Sequence, residues 1–322
     1  MTPALPEPVR PVPGLPLRVG LPDGLTRFDF AAVGSAEGNA WMAALPALVA
    51  GLADDWDLAL GEVIRHGFHA VVVAARQSNR PVALKVAWPP EQVVTEARAL
   101  AAWRGRGAVE LLASDLPRGA LLLEHLSESR SLASLPLTEA AAQAGTLLRT
   151  LAIEAPASVP SLQAIAVELA ATFAGRQRAL GEPVPSAWLT LAGQLADALA
   201  LDTERLLVHT DLHYGNVLAT DRPDQQWVAI DPRPAAGAPE RSTAELLWTR
   251  ADELSGPPAI VGLLERVVEH GRLTLGKAVA WSFVRSIDYW LWGLENGLTI
   301  DPVRCQRIAS ALEPLASRLS LP

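Results

Sequence analysis

Cysteine is nearly absent from this 322-residue chain: the single Cys305 excludes an internal disulfide and any zinc cluster built on cysteines. Its surroundings, Pro302-Val303-Arg304 and Gln306-Arg307, suit a helix, so it reads as a plain packed or surface thiol. Long apolar runs are missing too. No 18 apolar residues follow one another, so no segment is expected to span a membrane. Positive charge is scarce, with 27 Lys and Arg against 35 Asp and Glu, a net charge of −8 and a pI near 5.3. Nucleic acid is therefore not an expected partner, because phosphate binding needs a basic surface. An acidic field favours a cationic small-molecule substrate, or serves solubility alone. The start lacks the apolar core of a secretory signal; Met1 to Pro16 instead carries six prolines, so residues 1–20 read as an extended arm. A cytoplasmic protein is expected, and oligomeric state is not legible.

What is present suits a folded chain. Half the residues are apolar and 19% are charged, which suits one large domain or two modest ones. Glu37 to Ala53 has helical spacing at Trp41, Leu45, Leu48, Val49 and Leu52. The period then changes. Leu58–Ile64, Ala70–Arg76 and Val82–Trp88 are short β-branched runs separated by turn-like Arg65-His66-Gly67-Phe68 and Gln77-Ser78-Asn79-Arg80-Pro81, the pattern of an antiparallel meander. A helix follows over Glu91–Trp103, then strands at Val109–Ala113 and Ala120–Glu124. From Leu137 onward the spacing is almost wholly helical, first over Thr138–Leu151, Ser161–Gly181 and Ser186–Leu199, interrupted only by short strands at Arg205–His209 and Trp227–Ile230. The expectation is an α+β, two-lobed architecture: an antiparallel-sheet N-lobe over 21–125 and a helical C-lobe over 126–322.

The most informative stretch is His209-Thr210-Asp211-Leu212-His213-Tyr214-Gly215-Asn216, followed by Ile230-Asp231-Pro232-Arg233. It sets a carboxylate, an amide five residues later and a second carboxylate fifteen residues beyond around one loop. Phosphoryl transfer needs that set: Asp211 as base for the attacking hydroxyl, Asn216 and Asp231 as hard oxygen ligands for magnesium. His209 would brace the loop, while His213 could pack in the loop or lie near phosphate. Upstream, Lys85 stands among Val82, Ala83, Leu84, Val86 and Ala87, where an ammonium requires a partner. Glu96, eleven residues on, can supply it. His66 and Gly67 could cover phosphates through backbone N–H groups. Backbone groups of Glu124 and Leu126 could meet an adenine edge.

These blocks resemble the aminoglycoside phosphotransferase family, especially its streptomycin 6-kinase and hydroxyurea phosphotransferase branch. The likeness rests on Ala83-Leu84-Lys85-Val86-Ala87-Trp88-Pro89, Glu96–Leu100, Leu121–Glu124, His209–Asn216 and Ile230-Asp231-Pro232, in family order over roughly Leu60 to Arg250. The resemblance implies a protein-kinase-like fold, ATP (or GTP) with Mg²⁺, and transfer of the γ-phosphate to a hydroxyl. It implies Asp211 as catalytic base, Asn216 and Asp231 as metal ligands, and Lys85 with Glu96 as phosphate clamp. Two positions depart from the family. Thr210 stands where glycine is usual, and Ala238 and its neighbours replace a Gly-Asp-Pro acid, with Glu240 and Glu245 close by.

The acceptor is expected against the helix Leu275 to Glu295, whose Trp281, Arg285, Asp288, Trp292 and Glu295 share a face. Either Asp288, Trp292 and Glu295 contact a polar, cationic acceptor, or the tryptophans fill the core and the charges pair internally. Acceptors in view are a streptomycin-type antibiotic, hydroxyurea, an amino sugar such as glucosamine, or another metabolite. Two other classes remain open: a metal-dependent hydrolase using His209, Asp211, His213 and Asp231, and a catalytically inactive kinase fold that only binds.

Overall fold

The computed structural model describes residues 36–66, 70–88 and 90–319. The expected proline arm and Gly67 lie outside them. The described residues separate into two units, one holding those of 36–105 with Val109–Leu126, the other Arg106–Ala108 with 127–319.

The first unit opens with helix α1 (Ala36–Asp55) and continues into strands β1 (Leu58–His66), β2 (Ala70–Gln77) and β3 (Arg80–Ala87). Helix α2 (Pro90–Trp103) precedes β4 (Leu111–Asp115) and β5 (Ala120–Glu124). All five strands form one antiparallel sheet in the order β1-β2-β3-β5-β4. Alternation along the strands decides what each face carries. Val71, Val73 and Ala75 of β2 and Val82, Leu84 and Val86 of β3 are buried in one cluster with Leu45, Val49 and Leu52 of α1. Each such valine or leucine side chain contributes about 1.5–3 kcal/mol when removed from water. The period of two then sends Lys85, between Leu84 and Val86, to the opposite face, where α2 carries Glu96.

The second unit is mostly helical: α3 (Leu137–Leu151), α4 (Leu162–Ala179), α5 (Ser186–Leu199), then, after four short strands, α6 (Thr243–Trp248), α7 (Pro257–Gly271), α8 (Leu275–Glu295) and α9 (Asp301–Ala316). Ser161 caps α4 by accepting the Ala164 N–H at 3.1 Å. Gly145 lets α3 approach α7 closely, since a Cβ there would lie 2.5 Å from the Val267 carbonyl oxygen. Helix α8 buries Trp281, Phe283, Ile287 and Leu291, so it is the unit's central helix. The strands are β6 (Leu206–His209), β7 (Val217–Ala219), β8 (Trp227–Ala229) and β9 (Pro234–Gly237), paired antiparallel as β6 with β9 and β7 with β8. Among the described residues no helix is long and apolar enough to cross a membrane.

Candidate active site

Two short strand pairs set up the site in the second unit. The loop from β6 to β7 carries Asp211 and Asn216; the link from β8 to β9 carries Asp231. Ile230 joins them. Its N–H donates to the Asn216 carbonyl at 2.9 Å, and its carbonyl lies 3.0 Å from His209 Nε2. Residue 231 is thereby anchored beside a loop that starts more than twenty positions earlier.

His209 is the brace. Its Nδ1 accepts the Asp211 N–H at 3.2 Å, which leaves the ring proton on Nε2 to donate to Ile230. The ring is buried, and burial holds its pKa below the ordinary histidine value against the pull of Asp211 and Asp231. A neutral imidazole with both nitrogens engaged is a structural element and no metal ligand. His213 Nδ1 accepts the Gly215 N–H at 3.1 Å and so caps the tight turn Tyr214–Asn216. Among the described residues no group of three His, Cys, Asp or Glu side chains is arranged to hold a metal, so the hydrolase reading lacks its ligand set.

The oxygen pair suits a harder ion. Asn216 is buried and donates its amide Nδ2–H to the Asp211 carbonyl at 3.0 Å, which fixes the amide plane and leaves oxygen as its donor atom toward a cation. Asp231 is exposed and adopts φ 55°, in the left-handed region that aspartate tolerates better than most residues. Two oxygen donors of this kind, with nucleotide phosphates and water, fit Mg²⁺. Asp211 itself is partly exposed, its Oδ2 3.5 Å from Arg233 Nε.

Thr210 finds a partner here. Its N–H and its hydroxyl both donate to the Arg233 carbonyl, at 3.0 and 2.8 Å, extending the β6–β9 pairing by one residue. Neither this clamp nor Arg233 beside Asp211 was expected from the sequence. The usable signal was a hydroxyl at a glycine position. Glu240 and Glu245, near the missing family acid at Ala238, are both buried and engaged. Glu240 Oε1 accepts the Thr274 N–H at 2.7 Å, and burial raises its pKa. Glu245 pairs with Arg241 at 2.9 Å and Arg285 at 3.3 Å.

In the first unit, Lys85 Nζ donates to both oxygens of Glu96 at 2.7 Å, and both side chains are buried. Glu124 ends β5 with its N–H donated to the Glu110 carbonyl at 3.0 Å, and Leu126 follows, half-buried. The backbone of His66 ends β1. On α8, Asp288 receives Arg176 at 2.6 Å and is also paired with Arg285, while Glu295 receives Arg176 at 2.8 Å. The charges on that face pair internally. Trp292 instead stacks on Tyr289 at 5.1 Å, which stacks on Trp248 at 4.8 Å. Cys305 is buried, and burial raises its thiol pKa.

A model of the aminoglycoside/hydroxyurea antibiotic resistance kinases matches residues 56–297. Streptomycin 6-kinase from Streptomyces griseus is 34% identical over 302 residues, covering 91% of this chain and 97% of that protein. Hydroxyurea phosphotransferase from Kitasatospora aureofaciens is 37% identical over 290 residues, covering 87% and 82%. Among solved structures, a thermostable mutant of an aminoglycoside phosphotransferase in ternary complex with ADP and hygromycin B matches with a TM-score of 0.60 at 14% identity, over 84% of this chain and 99% of that one. The fold class is α+β and protein-kinase-like.

Proposed function

Because this chain belongs to the aminoglycoside/hydroxyurea antibiotic resistance kinase family, we propose that it moves the γ-phosphate of ATP to a hydroxyl of a streptomycin-type aminoglycoside or of hydroxyurea. The observation that carries this reading is the lacing of Ile230 between His209 and Asn216, which holds three oxygen-bearing side chains at one loop.

Asp211 accepts a hydrogen bond from the acceptor hydroxyl, orients its oxygen toward phosphorus and takes the proton late. Asn216 and Asp231 would hold Mg²⁺, which supplies charge neutralisation on the phosphate oxygens when bound. Lys85 binds the α- and β-phosphates. Glu96 aims it and repays the desolvation of an ammonium on an apolar strand. The backbone at His66, where β1 ends, covers the phosphates, and Glu124 with Leu126 meets the base. Residues 21–125 thus bind nucleotide, and 126–322 carry catalysis and acceptor recognition. Asp288 and Glu295, already shared with Arg176, would shape the acceptor's surroundings through that arginine, with Trp292 half-buried at one end of its stack.

The experiment is ATP-dependent phosphorylation of streptomycin, hydroxyurea and glucosamine, with Asp211→Asn as control. Turnover of one antibiotic acceptor, lost by orders of magnitude in Asp211→Asn while nucleotide still binds, is expected. Phosphorylation of glucosamine alone would move the assignment to amino-sugar metabolism.

A further inference from the structure

We propose that Arg233 is a further catalytic residue, its guanidinium passing from Asp211 to the phosphoryl group during transfer. This rests on the kinase reading above and adds a group to that site.

The arginines of the second unit differ in how committed they are. Arg241 and Arg285 are spent on Glu245 and Asp288. Arg176 is shared by Asp288 and Glu295. Arg250 holds Glu253 and the Leu135 carbonyl and lies over the Tyr214 ring at 5.4 Å. Arg233 is otherwise. Its side chain is 68% exposed, and its one ion pair among the described residues is the 3.5 Å approach to Asp211, with no hydrogen bond from the guanidinium. Its backbone, by contrast, is clamped twice by Thr210. The result is a loose cation on a fixed anchor, beside the base.

Geometry then limits where the transferred group can be. The attacking oxygen bonds Asp211 at about 2.7 Å, and phosphorus approaches that oxygen to roughly 3–3.5 Å. The phosphoryl group therefore comes within about 6 Å of a carboxylate that Arg233 already touches. An exposed ion pair of this kind is worth only ~0.2–1 kcal/mol, so an arriving phosphate can displace it at little cost. In the transfer the acceptor oxygen forms its bond to γ-phosphorus, and the bond from phosphorus to the bridging oxygen breaks. ADP leaves with that electron pair, and the hydroxyl proton goes to Asp211. Negative charge spreads over the three equatorial oxygens meanwhile, and a planar guanidinium with five donors matches two of them. Its departure also frees Asp211 to receive the hydroxyl.

The test compares wild type with Arg233→Ala, Arg233→Lys and Asp211→Asn in ATP hydrolysis to water, which needs no acceptor, and in transfer to streptomycin. Arg233→Ala should lower kcat on the order of 10²-fold, leave the KM for ATP and the thermal midpoint nearly unchanged, and regain part of its rate on addition of guanidinium ion. Arg233→Lys should retain an intermediate rate, and guanidinium should do nothing for Asp211→Asn. Wild-type turnover in Arg233→Ala, or a loss that neither lysine nor guanidinium repairs, overturns the inference alone. A wild-type protein that consumes no ATP in either assay overturns the kinase reading beneath it.

Discussion

Single residues here carry costs that only chemistry explains. Asp231 holds a left-handed φ of 55°, a conformation that costs an L-residue on the order of 1 kcal/mol. Asparagine tolerates the same backbone but lacks the charge. Asp231→Asn should therefore keep the wild-type melting temperature and lose nearly all Mg-ATP-dependent turnover; a large fall in stability would mean the carboxylate is structural. Glu240 is the opposite case, a buried carboxyl whose pKa is raised by burial. A raised folded pKa means that its contribution is full below the unfolded value, near 4.5, and is lost as pH rises through the folded value. Glu240→Gln, which cannot ionise, should gain stability relative to wild type between acid and neutral pH in urea unfolding. A constant difference across that range would refute the assignment. Thr210 shows the limit of reading residues one at a time. Its departure from glycine was visible, yet its partner Arg233 lies 23 positions away, and no local spacing connects them. Removing only the hydroxyl, as in Thr210→Val, should lower turnover through Arg233 while costing about 1 kcal/mol of stability.

Elements were legible where their periodicity was strong. The meander over β1 to β3 and the helices α3 to α5 lie within two residues of their expected bounds, because Val82, Leu84 and Val86, or Ala192, Leu195, Ala196 and Leu199, repeat at the spacing burial demands. β7 and β9 were not foreseen. Pro234-Ala235-Ala236-Gly237 has no β-branched residue, and its strand state comes from pairing with β6. The face of α8 was grouped correctly from its spacing, but the arginine that claims Asp288 and Glu295 belongs to α4, 112 and 119 positions away. Asp288→Ala leaves Arg176 to Glu295 and Arg285 to Glu245 in a poorly solvated place, and should cost about 2–3 kcal/mol. Glu295→Gln, at the wetter end, should cost under about 1 kcal/mol. Equal effects in chemical denaturation would show that burial does not grade this network. The α3–α7 approach offers a cleaner case. Alanine normally favours a helix over glycine, but Gly145→Ala must push against the Val267 carbonyl and should destabilise by roughly 1–3 kcal/mol.

For the whole molecule, an antiparallel sheet followed by a helical remainder was readable because five strand-like runs fall before Leu126, while the spacing from Leu137 onward is almost wholly helical. The family was readable from the order of the blocks around Lys85, Glu96, Asp211, Asn216 and Asp231, and a model of that family matches residues 56–297. Acceptor choice was not, since no motif or spacing in the chain separates one hydroxylated acceptor from another. The central claim is phosphoryl transfer to a hydroxyl through Asp211, and mass spectrometry of the acceptor tests it most directly. Streptomycin or hydroxyurea incubated with the protein and Mg-ATP should gain the mass of one phosphoryl group, and should gain none with Asp211→Asn. An acceptor left unmodified by the wild-type protein, or modified equally by Asp211→Asn, would contradict the account.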